Sequence, residues 1–187
     1  MSKETIKSTA LHFFAEIGYE ATSLAKIAAE VGIKKPSIYA HFSSKEALFL
    51  EVYQDVLELE LQKIKQLQKQ GEKGEALLEA LFYYLTDINT DKLGKQFSQR
   101  AIFYPPEAIS ESVKNITQTF ENLTVEIMEQ AVPAYFTKAQ TLRWMHVFYM
   151  MLDGLLMEGN LYESEEITKR RESAWLFLKQ ALTQKEA

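Results

Sequence analysis

Residues 22–46 read Thr-Ser-Leu-Ala-Lys-Ile-Ala-Ala-Glu-Val-Gly-Ile-Lys-Lys-Pro-Ser-Ile-Tyr-Ala-His-Phe-Ser-Ser-Lys-Glu, and this stretch decides the fold. Thr22 or Ser23 caps a helix that ends near Val31, and Gly32 supplies a turn. Pro36 lies in the first turn of the next helix, where its missing N–H costs nothing. That helix is short, about seven residues, and ends near Phe42. Two short helices around a glycine turn have the layout of a helix-turn-helix, so DNA is the first partner to consider.

Outward from this stretch, helical period dominates. Upstream, Ile6, Ala10, Phe13, Phe14 and Ile17 fall on one face of a helix over residues 5–17, and Gly18 stops it. Ile27, Ala28, Val31, Ile33 and Ile38 form the core of the resulting tri-helical unit. Ala28 sits where the two helices of the motif cross. Downstream, Ser43-Ser44-Lys45-Glu46 reads as a capping box, with Ser43 as the cap and Glu46 reaching back. A helix from Ser44 to about Lys69 follows, roughly 40 Å long, ended by Gln70-Gly71-Glu72-Lys73-Gly74. Further helices are expected over residues 75–89, 92–103, 106–132, 138–161 and 165–184, with breaks at Pro105-Pro106 and Pro133. No strand pattern competes, and the fold class is all-α.

Composition agrees. The 187 residues are 47% hydrophobic and 12% aromatic, with 7 Gly, 4 Pro and no Cys. That excludes a disulfide framework and thiolate chemistry. The longest apolar run, Met145 to Met157, is interrupted by His146, Asp153 and Gly154 and is too short to span a bilayer. With no signal-peptide pattern at the N-terminus, a soluble cytoplasmic protein with no membrane partner is expected. Net charge is −5, yet residues 22–46 hold four lysines against two glutamates, a local excess of +2. Lys34 and Lys35 oppose the dipole at the start of their helix, by about 0.3–1 kcal/mol each at an exposed site. A phosphate partner would reverse that penalty, and Lys45 repeats the pattern at the next helix. The exposed face of the second motif helix carries Lys35, Ser37, Tyr39 and His41, groups that reach phosphates or base edges.

Gly18-Tyr19, Thr22-Ser23, Ile27-Ala28, Val31-Gly32-Ile33, Ser37-Ile38-Tyr39, His41-Phe42 and Ser44-Lys45-Glu46-Ala47-Leu48 together resemble the N-terminal signature of the TetR family of bacterial transcriptional regulators. The family typically has Ser or Thr where this chain has Lys34, and often Gly where it has Pro36; the fold tolerates both, and the operator sequence stays open. The resemblance implies DNA contacts from Thr22, Ser23, Lys34, Lys35, Ser37, Tyr39, His41 and Lys45. Of these, Thr22, Tyr39, His41 and Lys45 are expected on phosphates, and Lys35 and Ser37 at base edges. It also implies a helix-turn-helix DNA-binding domain over residues 1–46 and a helical ligand-binding and dimerisation domain over residues 47–187. A homodimeric repressor, released from a palindromic operator by a small molecule, is the implied function. Control by a protein partner, or no effector, is the alternative.

The body has no motif of comparable specificity. Residues 141–156 are apolar nearly all round, and a helix of this kind must be covered on most sides. With Ala174, Trp175, Phe177, Leu178, Ala181 and Leu182 it is expected to build a four-helix dimer interface, since half-site reading needs two copies. Phe82, Phe97, Phe103, Phe120, Trp144, Phe148 and Met151 are the candidates to line an apolar effector pocket. Asp153 is the ionisable group set deepest in apolar sequence; it can pair with a cationic ligand, with His146, or across the dimer. Arg100 can meet an anion. A ligand preferring one body conformation would tilt the long helix and shift two reading heads off major grooves about 34 Å apart. No nucleophile elbow, Gly-rich phosphate loop, metal motif or paired-carboxylate signature is present, so no catalytic residue, metal or cofactor is expected. His12, His41 and His146 are the three histidines; His41 has no second His or carboxylate at metal-ligand spacing, and His12, next to Phe13, reads as structural.

Overall fold

The computed structural model describes residues 2–70 and 73–183. Among them there are helices and no strand: α1 (Lys3–Glu16), α2 (Gly18–Ala21), α3 (Leu24–Val31), α4 (Lys35–Tyr39), α5 (Lys45–Lys69), α6 (Gly74–Leu85), α7 (Lys92–Phe103), α8 (Ser110–Glu129), α9 (Lys138–Glu158) and α10 (Ser164–Thr183), with a 3-10 turn over Glu107–Ile109. Gly71, Glu72 and Gln184, named above at helix ends, lie outside the described residues.

Packing divides the chain into two units, each assembled from separate stretches of sequence. One comprises residues 1–60 and 91–121, the other residues 61–90 and 122–187. The chain passes between them within α5, between residues 90 and 91, and within α8. Packing thus groups α7 with the tri-helical unit, 45 residues beyond the 46/47 division drawn from the sequence.

The first unit is built around α1, α3, α5 and α7. Ile6, Ala10, Phe14, Leu24, Ile27, Ala28, Ile38, Phe49 and Phe97 belong to one buried cluster. Phe14, Phe49 and Phe97 meet at ring-centroid distances of 5.0–5.9 Å, which ties α1, α5 and α7 together. At the surface of α1, Lys7 Nζ lies 2.6 Å from Asp55 Oδ2 and 2.9 Å from Glu4 Oε1. These hydrogen-bonded carboxylates raise the Lys7 pKa above the ordinary lysine value. The second unit packs α6, α9 and α10 around Phe82, Phe148 and Trp175, with Phe82 at 5.8 Å from Phe148 and 5.6 Å from Trp175.

Helix ends follow side-chain chemistry. The Ser2 and Ser23 hydroxyls accept from Thr5 N and Lys26 N and start α1 and α3. Gly32, at φ 76°, ends α3, and Ile33 N then donates to Ala28 O at 2.9 Å. α4 stops at Tyr39, so it has five residues rather than the seven read from the sequence. The capping box also moves by one position. Ser44, not Ser43, caps α5, accepting from Ala47 N at 3.1 Å, and the Glu46 carboxylate interacts with Ser44 while also accepting from the Tyr19 hydroxyl. A capping box that the sequence reading passed over starts α9: Thr137 Oγ1 accepts from Gln140 N while Gln140 Oε1 accepts from Thr137 N.

A Cβ at Gly32 meets nothing within 4 Å, so substitution there is opposed by the left-handed backbone alone. Gly32→Ala is expected to cost about 1–2 kcal/mol, and Gly32→Asn less, read as the difference in urea unfolding free energy. Equal stability of the alanine variant and the wild type would contradict this account of the turn.

Candidate nucleic-acid interface

α4 is anchored by one residue. Ile38 is fully buried, while Lys34, Lys35, Ser37, Tyr39 and His41 are exposed on the other side. Lys35 Nζ stands 5.8 Å from the centroid of the Tyr39 ring, a cation–π distance that holds both side chains over one surface. Ser23 is exposed as well. Its oxygen accepts from Lys26 N at 3.2 Å, which leaves its O–H free to donate. Lys35, Tyr39, Ser23, Ser44 and Lys45 border a shallow cleft of about 420 Å³.

Two of the expected DNA contacts are differently employed. Thr22 is only 1% exposed, and its hydroxyl donates to Gly18 O at 2.7 Å, which closes the turn around α2. Lys45 is half-buried. Its Nζ donates to Tyr19 O at 2.9 Å and Thr22 O at 3.1 Å, and lies 3.7 Å from the Tyr19 ring centroid. Two of its three donors are therefore directed at carbonyls at the end of α2. Lys26 behaves alike, with Nζ 2.8 Å from Ala21 O. Beside Lys45, the Tyr19 hydroxyl donates to Glu46 Oε1. That bond is the main reason the Glu46 carboxyl titrates below its ordinary value of 4.5. Burial, and after it the same carboxylate, push the Tyr19 phenol up. Tyr19 and Lys26 were absent from the sequence-derived site; the Tyr-to-Glu spacing of 27 residues has no local pattern to reveal it.

The eight residues named for an effector pocket divide between the two units. Phe97 is fully buried in the core of the first unit, against Phe14, Phe49 and Tyr53. Phe120 packs on that same core, and Phe103 is 41% exposed. Phe82, Trp144 and Phe148 are buried in the second unit, with Phe148 5.8 Å from Phe82 and 5.4 Å from Trp144. Trp144 Nε1 donates to Leu178 O at 2.9 Å. Met151 is half-buried in the second unit. Asp153 is exposed by surface area, contrary to the expectation of a deep site, although desolvation by nearby groups still raises its carboxyl pKa. Arg100 donates to Glu16 O at the end of α1, 3.2 Å away. A groove of about 190 Å³ runs between α9 and α10, lined by Arg143, Trp144, Val147 and Phe177 among others. Among the described residues no cluster of three or more His, Cys, Asp or Glu side chains is placed to hold a metal ion.

A short helix offering lysines, hydroxyls and an imidazole from a tri-helical unit, ahead of further helices, defines a helix-turn-helix protein. Residues 6–52 match the model for bacterial regulatory proteins of the tetR family, and residues 72–183 match that for a tetracyclin repressor-like C-terminal domain. The second match alone takes in more than half of the chain, and the chain belongs to the TetR family. It is 39% identical over 67 residues to the uncharacterized HTH-type transcriptional regulator YerO of Bacillus subtilis, covering 36% of this chain and 23% of that one. It is 27% identical over 118 residues to the biofilm operon icaADBC HTH-type negative transcriptional regulator IcaR of Staphylococcus epidermidis, covering 62% and 61%. The chain thus spans less than two thirds of the length of these relatives. In three dimensions it is similar to the transcriptional regulator FadR from Bacillus subtilis, solved in complex with stearoyl-CoA. That likeness has a TM-score of 0.71 at 14% identity, over 95% of this chain and 97% of that one.

The Tyr19–Glu46 bond has a pH signature. The folded-state carboxyl titrates below its unfolded value, so its contribution is present above that value and is lost as pH falls through the folded pKa. Tyr19→Phe is therefore expected to destabilise the protein at pH 7, and the effect should shrink as pH falls through the titration of the folded Glu46 carboxyl. Denaturant unfolding of both proteins across a descending pH series checks this; a difference independent of pH would contradict it.

Proposed function

We propose that this chain is a homodimeric transcriptional repressor that reads a palindromic operator in double-stranded DNA and is released from it by a small molecule. The observation that carries the reading is the exposed side of α4. Five polar side chains, Lys34, Lys35, Ser37, Tyr39 and His41, project from a segment anchored by the single buried Ile38. Lys35 and Ser37 are assigned to base edges. Ser23, Lys34, Tyr39 and His41 are assigned to phosphates, with Lys45 contributing charge from its anchored position. Residues 1–46 form the functional reading segment, and residues 47–187 the effector and dimer segment. Repression is supported by the relative whose description is that of a negative regulator. No helix of the described residues is long and apolar enough to cross a membrane, which fits a regulator working in the cytoplasm.

Dimerisation is supported by apolar side chains left in solvent on α9 and α10: Met150 is 65% exposed, Leu176 56% and Phe177 58%. The effector is open. Stearoyl-CoA, bound by one structural neighbour, is the first probe to use. A second reading, control by a protein partner or by no effector, is favoured by the mutual packing of the Phe82, Trp144, Phe148 and Trp175 rings in the second unit.

Enrichment from a random duplex library tests DNA reading, followed by anisotropy measurements on the selected sequence. Failure to enrich any sequence would sink the proposal. Lys34→Ala is expected to weaken binding to all sequences. In a dimer it should reduce the slope of log affinity against log salt by about 0.9 per phosphate lost from each copy. Ser37→Ala is expected to relax preference at one base pair per half-site, by about 1–3 kcal/mol. Stearoyl-CoA that lowers operator affinity supports the first reading; operator affinity indifferent to it turns attention to other ligands and to the second.

A further inference from the structure

The exposed face of α9 is a regular stripe. Arg143, His146, Met150, Asp153 and Met157 follow one another at alternating spacings of three and four residues, and all are exposed. The opposite face carries Thr141, Trp144, Met145, Phe148, Leu152 and Leu155, all buried. A three-four repeat is the seam along which two helices pack side by side. Gly154 lies on this seam, and a Cβ there would meet nothing within 4 Å, so a second backbone can approach. The stripe continues toward α10, because Arg143, Val147 and Phe177 line one groove.

Charge fixes how two copies of this stripe can meet. In a two-fold contact with α9 helices parallel, Asp153 would face Asp153 and Arg143 would face Arg143, like charges that repel. Antiparallel, the register is set by which residues oppose. With the axis passing between His146 and Met150, Arg143 opposes Asp153 on both sides of the axis, and His146 opposes Met150. Moving the register along by one step sets Asp153 against Met150 and leaves its carboxylate covered and unpaired, which is costly. Arg143 and Asp153 stand ten residues apart, about 15 Å along the helix, too far to pair within one copy.

Resting on the homodimer reading above, we propose that Arg143 of each copy pairs with Asp153 of the other across an antiparallel α9–α9 contact. The occupant of this face is a second copy of the chain, and the two ion pairs select its register. The desolvated carboxyl of Asp153 is in keeping with a group that is covered on association.

Charge reversal tests this on the full chain by analytical ultracentrifugation. Arg143→Glu and Asp153→Arg are each expected to raise the dimer dissociation constant by about ten-fold or more. The R143E/D153R double variant is expected to return toward the wild type. An equimolar mixture of the two single variants should form heterodimers in preference to either homodimer, read by native mass spectrometry, since only the mixed pair restores both ion pairs. Both positions are exposed, and helical content by circular dichroism confirms that each variant folds. Single variants that dimerise like the wild type, or a double variant no better than the singles, would overturn the pairing while leaving the homodimer intact. A monomeric wild type would overturn the homodimer reading and this pairing with it.

Discussion

A helix of five residues cannot hold itself together. Isolated helices shorter than about 12–15 residues are marginal in water, and α4 also carries Lys34 and Lys35 at its positive end. Its orientation is imposed from outside. Ile38 fixes it to the cluster that contains Ile27, Ala28 and Phe14. The left-handed Gly32 sets the angle at which the chain leaves α3, and Pro36 restricts the backbone of the first turn. Everything that α4 displays to a partner depends on that single apolar attachment and that single turn.

The next constraint is at the start of α5. The Lys45 ammonium satisfies carbonyls at the end of α2, Tyr19 covers it with its ring, and the Tyr19 hydroxyl engages Glu46 one residue further along α5. α2 and the first turn of α5 are thereby joined by polar contacts that need defined geometry. The Lys7–Asp55 pair joins α1 to a point three turns along α5. Phe97 brings α7 into the same assembly, and Arg100 donates to the last carbonyls of α1. A displacement of α7 or of the start of α5 therefore works against α1 and α2, and α1 in turn packs on α3, which carries α4.

How much of this was legible in the sequence differs from element to element. The span of α7, Lys92–Phe103, and the extent of α5 follow from apolar period and from clear breakers, and the structure agrees closely. The α5 cap missed by one residue because Ser43 and Ser44 are chemically equivalent candidates in sequence, and only the folded backbone sets Ser44 within reach of Ala47 N. Thr22 carries a DNA-facing assignment by resemblance, yet burial is a property of the folded turn and no local pattern reports it. The aromatic residues show the limit most plainly. Phe82 and Phe97 have the same chemistry and similar apolar surroundings in sequence, but packing sends one to each unit. Period tells that a ring is covered; it does not tell which rings share a cavity. Asp153 is a related case. It is surrounded by apolar residues in sequence, but on a helix those residues divide between two faces, and Asp153 is on the outer one.

The lysines give the strongest link between this geometry and assembly. Of the four in residues 22–46, Lys26 and Lys45 direct their ammonium groups at backbone carbonyls of the α2 segment. Lys34 and Lys35 remain exposed at the start of α4. Each phosphate neutralised contributes one increment of counterion release, so a single reading unit with two projecting cations has a small electrostatic term. The whole chain carries −5, which adds repulsion from the polyanion at longer range. One copy on its own is therefore a weak ligand for DNA. Joining two copies doubles the phosphate contacts and makes the second head's binding effectively intramolecular. The same arithmetic makes binding easy to undo: with so few cations per head, a shift that misaligns one head removes about half of the electrostatic term. Weak individual heads are thus what reversible operator binding by such a dimer requires, and strengthening them with further surface lysines would work against release.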